Sequence, residues 1–511
     1  MKTKITILIA ALFLSFGAIA QTVEIEGDPY DGNPYASIAD AVEDAEDGDV
    51  ILISGVHTES VAISKSITLR GSDPTVDIIQ ASASPSNGGG GSRVLFLERL
   101  ETSDDLTITI ENLGIRHGNS SANGGGIFVD KVTGLATLKN LIIEDNHSEA
   151  NGGGVAMAGS NVLLIESTVQ NNSSTLDGGG IIAAANNATT VDSSIEIKQS
   201  LIHNNSGRNG GGIFINGNQG FGNTRKINVL VENSTISEND SFSPTGGNGG
   251  GGIWTRSALW LGDNNSTNVS LQLVHATVYN NTHASLTKNG LQFNIQGGDP
   301  VAAADVSVYN SIIVSGTDVA EKAFNFLNAN LTDMVNTILG GTENAGPFNS
   351  IIDDENKNND RGRTSIFAGL GDELTDEGGS TLVFALAEGS APVNYCTATV
   401  PITLPGIDQR GATRTATPDA GAFEFGVTLS TETFLAQEND FVMYPNPASN
   451  QVNFKSELPI EEIRIFSITG KLQRVVKNLN TIDVSDFQNG VYIVKLSNGT
   501  NTKTQKLVVK H

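Results

Sequence analysis

The chain alternates short aliphatic runs with fixed punctuation by glycine and asparagine. Asn123-Gly124-Gly125-Gly126-Ile127 returns as Asn151-Gly152-Gly153-Gly154-Val155, Asp177-Gly178-Gly179-Gly180-Ile181, Asn209-Gly210-Gly211-Gly212-Ile213 and Asn248-Gly249-Gly250-Gly251-Gly252-Ile253. A second beat, an aliphatic residue with Asn three places on, is locked to it: Ile143 to Asn146, Val169 to Asn172, Ile202 to Asn205, Ile236 to Asn239 and Val278 to Asn281. Two beats in fixed order, recurring about 26 to 42 residues apart, mark a stacked repeat. Each unit supplies three short strands, as in Val155-Ala156-Met157, Val162 to Ile165 and Thr168-Val169. Runs this short cannot bury themselves alone, but stacked coil upon coil they share one core.

The expected fold is all-β, a right-handed parallel β-helix solenoid followed by a small β-sandwich. The hand follows from the preference of parallel crossovers. Coils about 4.8 Å apart place Asn146, Asn172, Asn205, Asn239 and Asn281 above one another, as a ladder of amide hydrogen bonds. Asn also suits corners in the left-handed conformation. The Gly runs fit corners with positive φ or close backbone approach; no strand–Gly loop–helix context points to phosphate binding. Residues 35–48 carry the one helical pattern, with Ile38, Ala39, Val42 and Ala45 on one face, suited to cover the open end of a solenoid. Loops that break the period, around Asp240 to Asn248 and Asp263 to Asn268, should protrude.

Residues 1–20 read as a signal peptide: Lys2 and Lys4, an apolar stretch from Ile5 to Phe16, then cleavage between Ala20 and Gln21. The divisions that follow are 21–105 for the cap and first coils, 106–340 for the repeats, 341–426 for a closing region, 427–440 for a linker and 441–511 for the last domain. No later stretch is apolar enough to span a bilayer, so the mature chain should lack a transmembrane segment.

Composition sharpens this division. The 57 glycines among 511 residues suit short strands and tight turns. Residues 441–511 hold 9 Lys/Arg against 5 Asp/Glu, whereas 21–440 hold 19 against 51. A solenoid this acidic repels nucleic acid and anionic membranes, so no nucleic-acid partner is expected. The single cysteine, Cys396, excludes an intramolecular disulfide and reads as a buried small side chain.

Four parts of the chain resemble known families. The lead into Lys65-Ser66-Ile67-Thr68-Leu69-Arg70-Gly71 resembles the start of pectin-lyase-like β-helices. The paired Gly-Gly-Gly-Ile and Ile-x-x-Asn motifs are similar to those of chlamydial polymorphic outer-membrane proteins. A third Gly stands here where Ala is usual, Ile or Val replaces Phe, and no autotransporter barrel follows. Ile407-Asp408-Gln409-Arg410-Gly411 and Gly421-Ala422-Phe423-Glu424 resemble the closing motif of choice-of-anchor domains. The tail, with Pro445-Asn446-Pro447, the Gly470 turn, Gly490-Val491-Tyr492 and the basic end at Lys506 and Lys510, resembles the type A sorting domain of the Bacteroidetes type IX secretion system. That resemblance implies Sec export, the type IX machinery as partner, and an extracellular or outer-membrane location after periplasmic transit. His511 after the last lysine departs slightly from the pattern.

Candidate chemistry is sparse. Hydrolases of the pectin-lyase-like kind carry clustered Asp with Gly-His-Gly and Arg-x-Lys elements. Arg116-His117-Gly118 is half of one such element, with no Asp pair in the neighbouring repeat. His203 stands where other coils have Glu144, Gln170 and Ser237, which makes it an outer-face residue. No catalytic residue is assigned. Asp354, Asn356, Asn358 and Asp360 alternate as oxygen ligands for calcium would, without the Gly and terminal Glu of an EF-hand loop; a solvated turn is the simpler reading, and no cofactor is certain. Trp254 and Trp260 could stack on sugar, but packing inside the solenoid is the better reading. An adhesin-like protein binding polysaccharide or a host-surface glycan leads, and a carbohydrate-active enzyme is the alternative.

Overall fold

A computed structural model describes residues 21–511 apart from 27–33, 89, 101–104, 186–191, 218–225, 244–248, 257–268, 285–292, 297–303, 317–323, 328–329, 342–347, 430–440, 457–461, 468–471, 478–480 and 498–501. The expected signal peptide with Ala20, the Gly470 turn, Trp260 and the loop around Asp263 lie outside the described residues. The chain forms two compact units, Met1–Leu429 and Ser430–His511.

The first unit is a parallel β-helix, as its repeats required. Its first wall stacks strands such as Thr107–Glu111, Leu135–Lys139, Asn161–Ile165 and Ile227–Glu232. The second wall stacks three-residue strands, among them Gly114–Arg116, Ile142–Glu144, Thr168–Gln170 and Leu201–His203. Two-residue strands such as His147–Ser148 turn the chain towards the third wall, which includes Leu95–Glu98, Ile127–Asp130 and Val155–Ala158. Alternate side chains point inward: Leu138 and Leu164 from the first wall, Ile143 and Val169 from the second, Ile127 and Val155 from the third are all buried in one core.

The corners use one rule twice. Between the first and second walls, Asn140, Glu166, Gln199, Asn233, His275, Asn310 and Asn336 take left-handed φ. The next residue in four of these coils is Ser167, Ser200, Ser234 or Ser311, whose hydroxyl accepts from the backbone N–H of the preceding coil at 3.0–3.2 Å. Between the second wall and the short strands, Asp145, Asn171, Asn204, Glu238 and Asn280 are left-handed, and the ladder asparagine follows each. The left-handed conformation thus belongs to the residue before the ladder, not to the ladder Asn itself.

The ladder runs unbroken from Asn146 to Asn281. Asn146 Nδ2 donates to Asn172 Oδ1 at 3.0 Å, Asn172 to Asn205 at 3.0 Å, Asn205 to Asn239 at 2.9 Å and Asn239 to Asn281 at 2.8 Å. Each of Asn146, Asn172, Asn205 and Asn239 spends its other N–H on a carbonyl of the preceding coil, Ile115, Ile143, Val169 or Ile202. Asn172, Asn205, Asn239 and Asn281 also take the backbone N–H of the Asn before them on Oδ1. Asn172, Asn205 and Asn239 thereby satisfy their whole amide away from water.

Both ends are covered. At the start, the helix Ile38–Asp44 buries Ile38, Ala41 and Val42; Ala41, not the expected Ala39, faces the core. Ser37 and the Glu59 carboxylate cap its first turn. Lys65 Nζ donates to the carbonyls of Val42, Glu43 and Ala45 at its other end, where a cation complements the helix dipole. Thr22–Ile25 adds an antiparallel edge strand against Val50–Ser54 that no repeat pattern announced. At the far end, the short helix Asn349–Ile352 seats Ile352 in the solenoid core.

Residues beyond this helix, expected to close the end, instead run back along the flank. Thr381 Oγ1 reaches the Gln199 carbonyl at 3.4 Å, Thr235 Oγ1 donates to Gln409 Oε1 at 2.6 Å, and the Ala422 N–H donates to Thr277 Oγ1 at 3.0 Å. Phe384 packs edge-on against Tyr279, with Ile312, Val314 and Ile338 in the same cluster. The Asp-Gln-Arg-Gly and Gly-Ala-Phe-Glu motifs lock this strap. Asp408 accepts from Arg410 Nη2 at 2.7 Å, Glu424 accepts from Arg414 Nη1 at 3.0 Å, and all four side chains are buried. Arg414 also donates to Asn233 Oδ1 at 2.9 Å, so the ion pair grips the solenoid corner itself.

The second unit has a three-stranded and a four-stranded antiparallel sheet about one core, with Val452 and Phe454 facing Ile463, Val494 and Leu507. Asn446 stitches its opening to its last strand, donating to the Lys506 carbonyl at 2.7 Å and accepting from the Val508 N–H at 2.8 Å.

Candidate functional site

The outward side chains of the second wall form a column whose chemistry changes along its length. In register they are Gln80, Arg116, Glu144, Gln170 and His203, then Ser237, Tyr279 and Val314. The apolar end, from Tyr279 onward, lies under the strap. The polar end, from Arg116 to His203, is half-exposed. The strap therefore divides one wall into a packed half and a solvated half.

Within the solvated half the side chains are bound to one another. Arg116 Nε donates to Gln80 Oε1 at 2.9 Å, Gln170 Nε2 donates to Glu144 Oε2 at 2.8 Å, and His203 Nδ1 meets Ser237 Oγ at 3.1 Å. His203 is thus an outer-face residue, as its repeat position indicated. Its Nε2 stands 3.8 Å from Glu238, yet burial outweighs that carboxylate and holds the imidazole below its usual pKa. It is neutral at pH 7.

The left-handed corner beside this column adds His117 and Asp145 in successive coils. His117 Nδ1 is held by the Ser82 carbonyl at 3.0 Å, which fixes the ring. Burial, reinforced by Glu144, pushes the Asp145 carboxyl above its ordinary value, while His117 and Arg116 pull the other way. No Asp pair beside Arg116-His117-Gly118 announces this arrangement in the sequence. The acidic residues are Glu144-Asp145, one on the strand and one on the corner, and only the register of the coils brings them to Arg116 and His117. A raised carboxyl, a second carboxylate, a guanidinium and an imidazole in two adjacent coils can bind hydroxyl-rich ligands, and can in principle move a proton.

The other candidates are drawn into structure. Asn358 is left-handed, continues the corner column, and donates to Asn336 Oδ1 at 3.2 Å and to the Tyr395 carbonyl at 2.7 Å. Asp360 bridges Ile338 and pairs with Arg363 at 2.7 Å, while Asp354 caps its own turn through Asn356. Asp354 and Asn356 bond to each other, whereas Asn358 and Asp360 turn to separate partners; among the described residues no group of three His, Cys, Asp or Glu is placed to hold a metal. Trp254 packs on Phe214 with centroids 4.6 Å apart and is 2% exposed, so its face is closed to sugar. Cys396 is buried, and burial pushes its thiol far up.

In the second unit, Lys506 and Lys510 are exposed and Gly490 opens the strand that carries Tyr492. Tyr492 donates from its hydroxyl to the Gln488 carbonyl at 2.8 Å and packs against Phe487. Tyr444-Pro445 and Asn446-Pro447 are cis. His511, the apparent departure, is tied in through the Asn489 side chain and the Phe487 carbonyl.

Residues 442–510 match the family described as the secretion system C-terminal sorting domain. The chain therefore carries a type IX sorting domain and is exported to the cell surface or extracellular space. Among solved structures, the crystal structure of pectate lyase Pel9A is similar with a TM-score of 0.41 and 13% identity, over 77% of this chain and 92% of that one. No curated protein matches the chain.

Proposed function

We propose that the protein is a surface-displayed, adhesin-like glycan-binding solenoid that engages a polysaccharide or host-surface glycan along the open half of its second wall. The carrying observation is the column Arg116, Glu144, Gln170 and His203, with the buried Gln80 behind Arg116. It offers amide, guanidinium, carboxylate and imidazole groups one coil apart, and it ends where the strap begins. A regularly spaced polar column suits a regularly repeating polymer. The sorting tail supplies the location that such a role needs. The type IX machinery is the partner of that tail.

A second reading, a carbohydrate-active enzyme on the same face, is favoured by the raised Asp145 carboxyl beside Glu144, Arg116 and His117. One screen separates the two: glycans and polysaccharides scored for both binding and release of reducing or unsaturated ends. Binding without product, weakened at least tenfold by Arg116→Ala with Gln170→Ala, supports the adhesin-like reading. Turnover that Asp145→Asn abolishes would establish the enzyme, and absence of binding to every glycan would sink both.

A further inference from the structure

The glycine beat breaks at Ser92-Arg93-Val94, and the break opens a pocket on another face. Leu95 pairs with Ile127, so Arg93 stands where the next coil has Gly125. At Gly125 a Cβ would lie 2.3 Å from the His147 carbonyl oxygen and 2.5 Å from that of Gly153. Arg93 instead carries a full side chain out over the third wall. Its guanidinium carbon lies 4.8 Å from the Phe96 ring and 5.0 Å from the Phe128 ring, and those rings stack 5.4 Å apart at 9°. Beside it is a cavity of about 330 Å³ whose lining includes Ser60, Ser92, Ser120 and Ser121 as well as Ala62 and Phe96.

The guanidinium is half-buried and held by two aromatic faces, and no carboxylate of the described residues lies within ion-pair distance. Glu98 and Asp130 act on it only at longer range. Its N–H fork is thus positioned without being consumed. We propose that this pocket binds the sulfate monoester of a sugar. Arg93 and the hydroxyls of Ser92, Ser120 and Ser121 come from two successive coils and line the pocket from different positions, while the Ser60 hydroxyl is spent on the Arg93 carbonyl at 2.6 Å. A tetrahedral oxoanion meets such donors from several sides, whereas a carboxylate presents its acceptors in one plane. With Glu98 and Asp130 on the same wall, a monoanion is easier to hold than a phosphate ester of charge about −1.5 to −2. The cavity exceeds a bare ion and has the size and partly apolar lining of a small-ligand site, so the sugar ring rests against Ala62 and Phe96. This site is separate from the second-wall column, and its test stands whether or not that face binds glycan.

The test is calorimetric titration of the exported protein with galactose 6-sulfate, galactose, glucuronate, inorganic sulfate and a tyrosine-sulfated peptide. Galactose 6-sulfate should bind, galactose should not, and Arg93→Gln should weaken binding at least tenfold. Ala62→Trp, at an exposed position in the pocket mouth, should abolish binding with an unchanged melting temperature, which covers the case in which Arg93→Gln misfolds. Equal binding of galactose, tighter binding of glucuronate, inorganic sulfate or the peptide, or no binding of galactose 6-sulfate would each overturn the proposal. So would retention of affinity in both variants.

Discussion

Gly154 lies directly against Asn172: a Cβ on the glycine would stand 2.9 Å from Asn172 Nδ2 and 2.8 Å from the Gly180 carbonyl oxygen. The same contact joins Gly126 to Asn146 and Gly212 to Asn239. The two beats of the sequence stay in step because they touch. Gly154→Ala should therefore destabilise the solenoid by about 1–3 kcal/mol, the usual cost of overpacking. Equilibrium denaturation in urea reads this directly, and an unchanged midpoint would show that the ladder can shift.

Removing one rung is a different loss. Asn205→Ala leaves the N–H and Nδ2 groups of Asn172 without their acceptor, in a place water does not reach. Each orphaned donor costs roughly 1–3 kcal/mol, so the variant should melt well below wild type. Asn204→Gly, one residue earlier and left-handed, should be nearly neutral, because glycine accepts that conformation freely. Thermal melts of the pair separate ladder chemistry from corner geometry.

The strap offers a third measurement. Glu424→Gln leaves the Arg414 guanidinium buried beside a neutral amide. Breaking a buried pair on one side typically costs about 3–5 kcal/mol. Limited proteolysis should then cut within residues 378–429 while the coils stay resistant; simultaneous loss of both would mean that strap and coils unfold as one.

His275 carries a pH dependence. It occupies a corner where neighbouring coils have Asn233 and Asn310, its Nε2 meets Asn310 Nδ2 at 3.0 Å, and its buried Nδ1 has no well-formed hydrogen bond among the described residues. Burial, with Arg414 close by, holds its pKa well below the ordinary value near 6.5, against backbone contacts at Asp419 and Gly421. With the folded value depressed, its contribution to stability is complete above about pH 6.5. It is lost as pH falls towards the folded value, because the unfolded chain binds the proton first, with a slope of at most about 1.4 kcal/mol per pH unit. His275→Asn restores the residue of the neighbouring corners and should flatten this slope. Stability measured from pH 7 to pH 5 decides it.

Deletion of residues 441–511 should strand the product in the periplasm, since the sorting domain directs export. Cell fractionation with surface proteolysis reads the outcome. Continued delivery to the surface would show a second address in the chain.

What could be read in advance was what repeats. The Asn ladder, the glycine corners and the inward aliphatics recur every coil, so one sequence displays them many times. The serine ladder escaped notice because Ser167, Ser200 and Ser234 precede strands whose other residues vary. Corner stacking and metal binding draw on the same oxygen-rich residues, so spacing alone does not separate the two in Asp354 to Asp360; Asn358 joins the corner column. The path of the strap had no local signature, since Asn233 and Arg414 meet across 181 positions. Glu144 and Asp145 joined Arg116 and His117 only once the register was known.

That long reach makes the strap's contacts depend on the register of the coils. The strap touches Gln199, Asn233, Thr277 and Asn336, which belong to different coils. It can dock only on a stack already assembled in the right register, so its contacts report that the coils before it were completed. A chain that skipped or slipped a coil would present mismatched corners, and its Asp408, Arg410, Arg414 and Glu424 would stay in water. The buried pairs of the strap therefore depend on corners that lie far apart in the chain and meet only through the register of the coils.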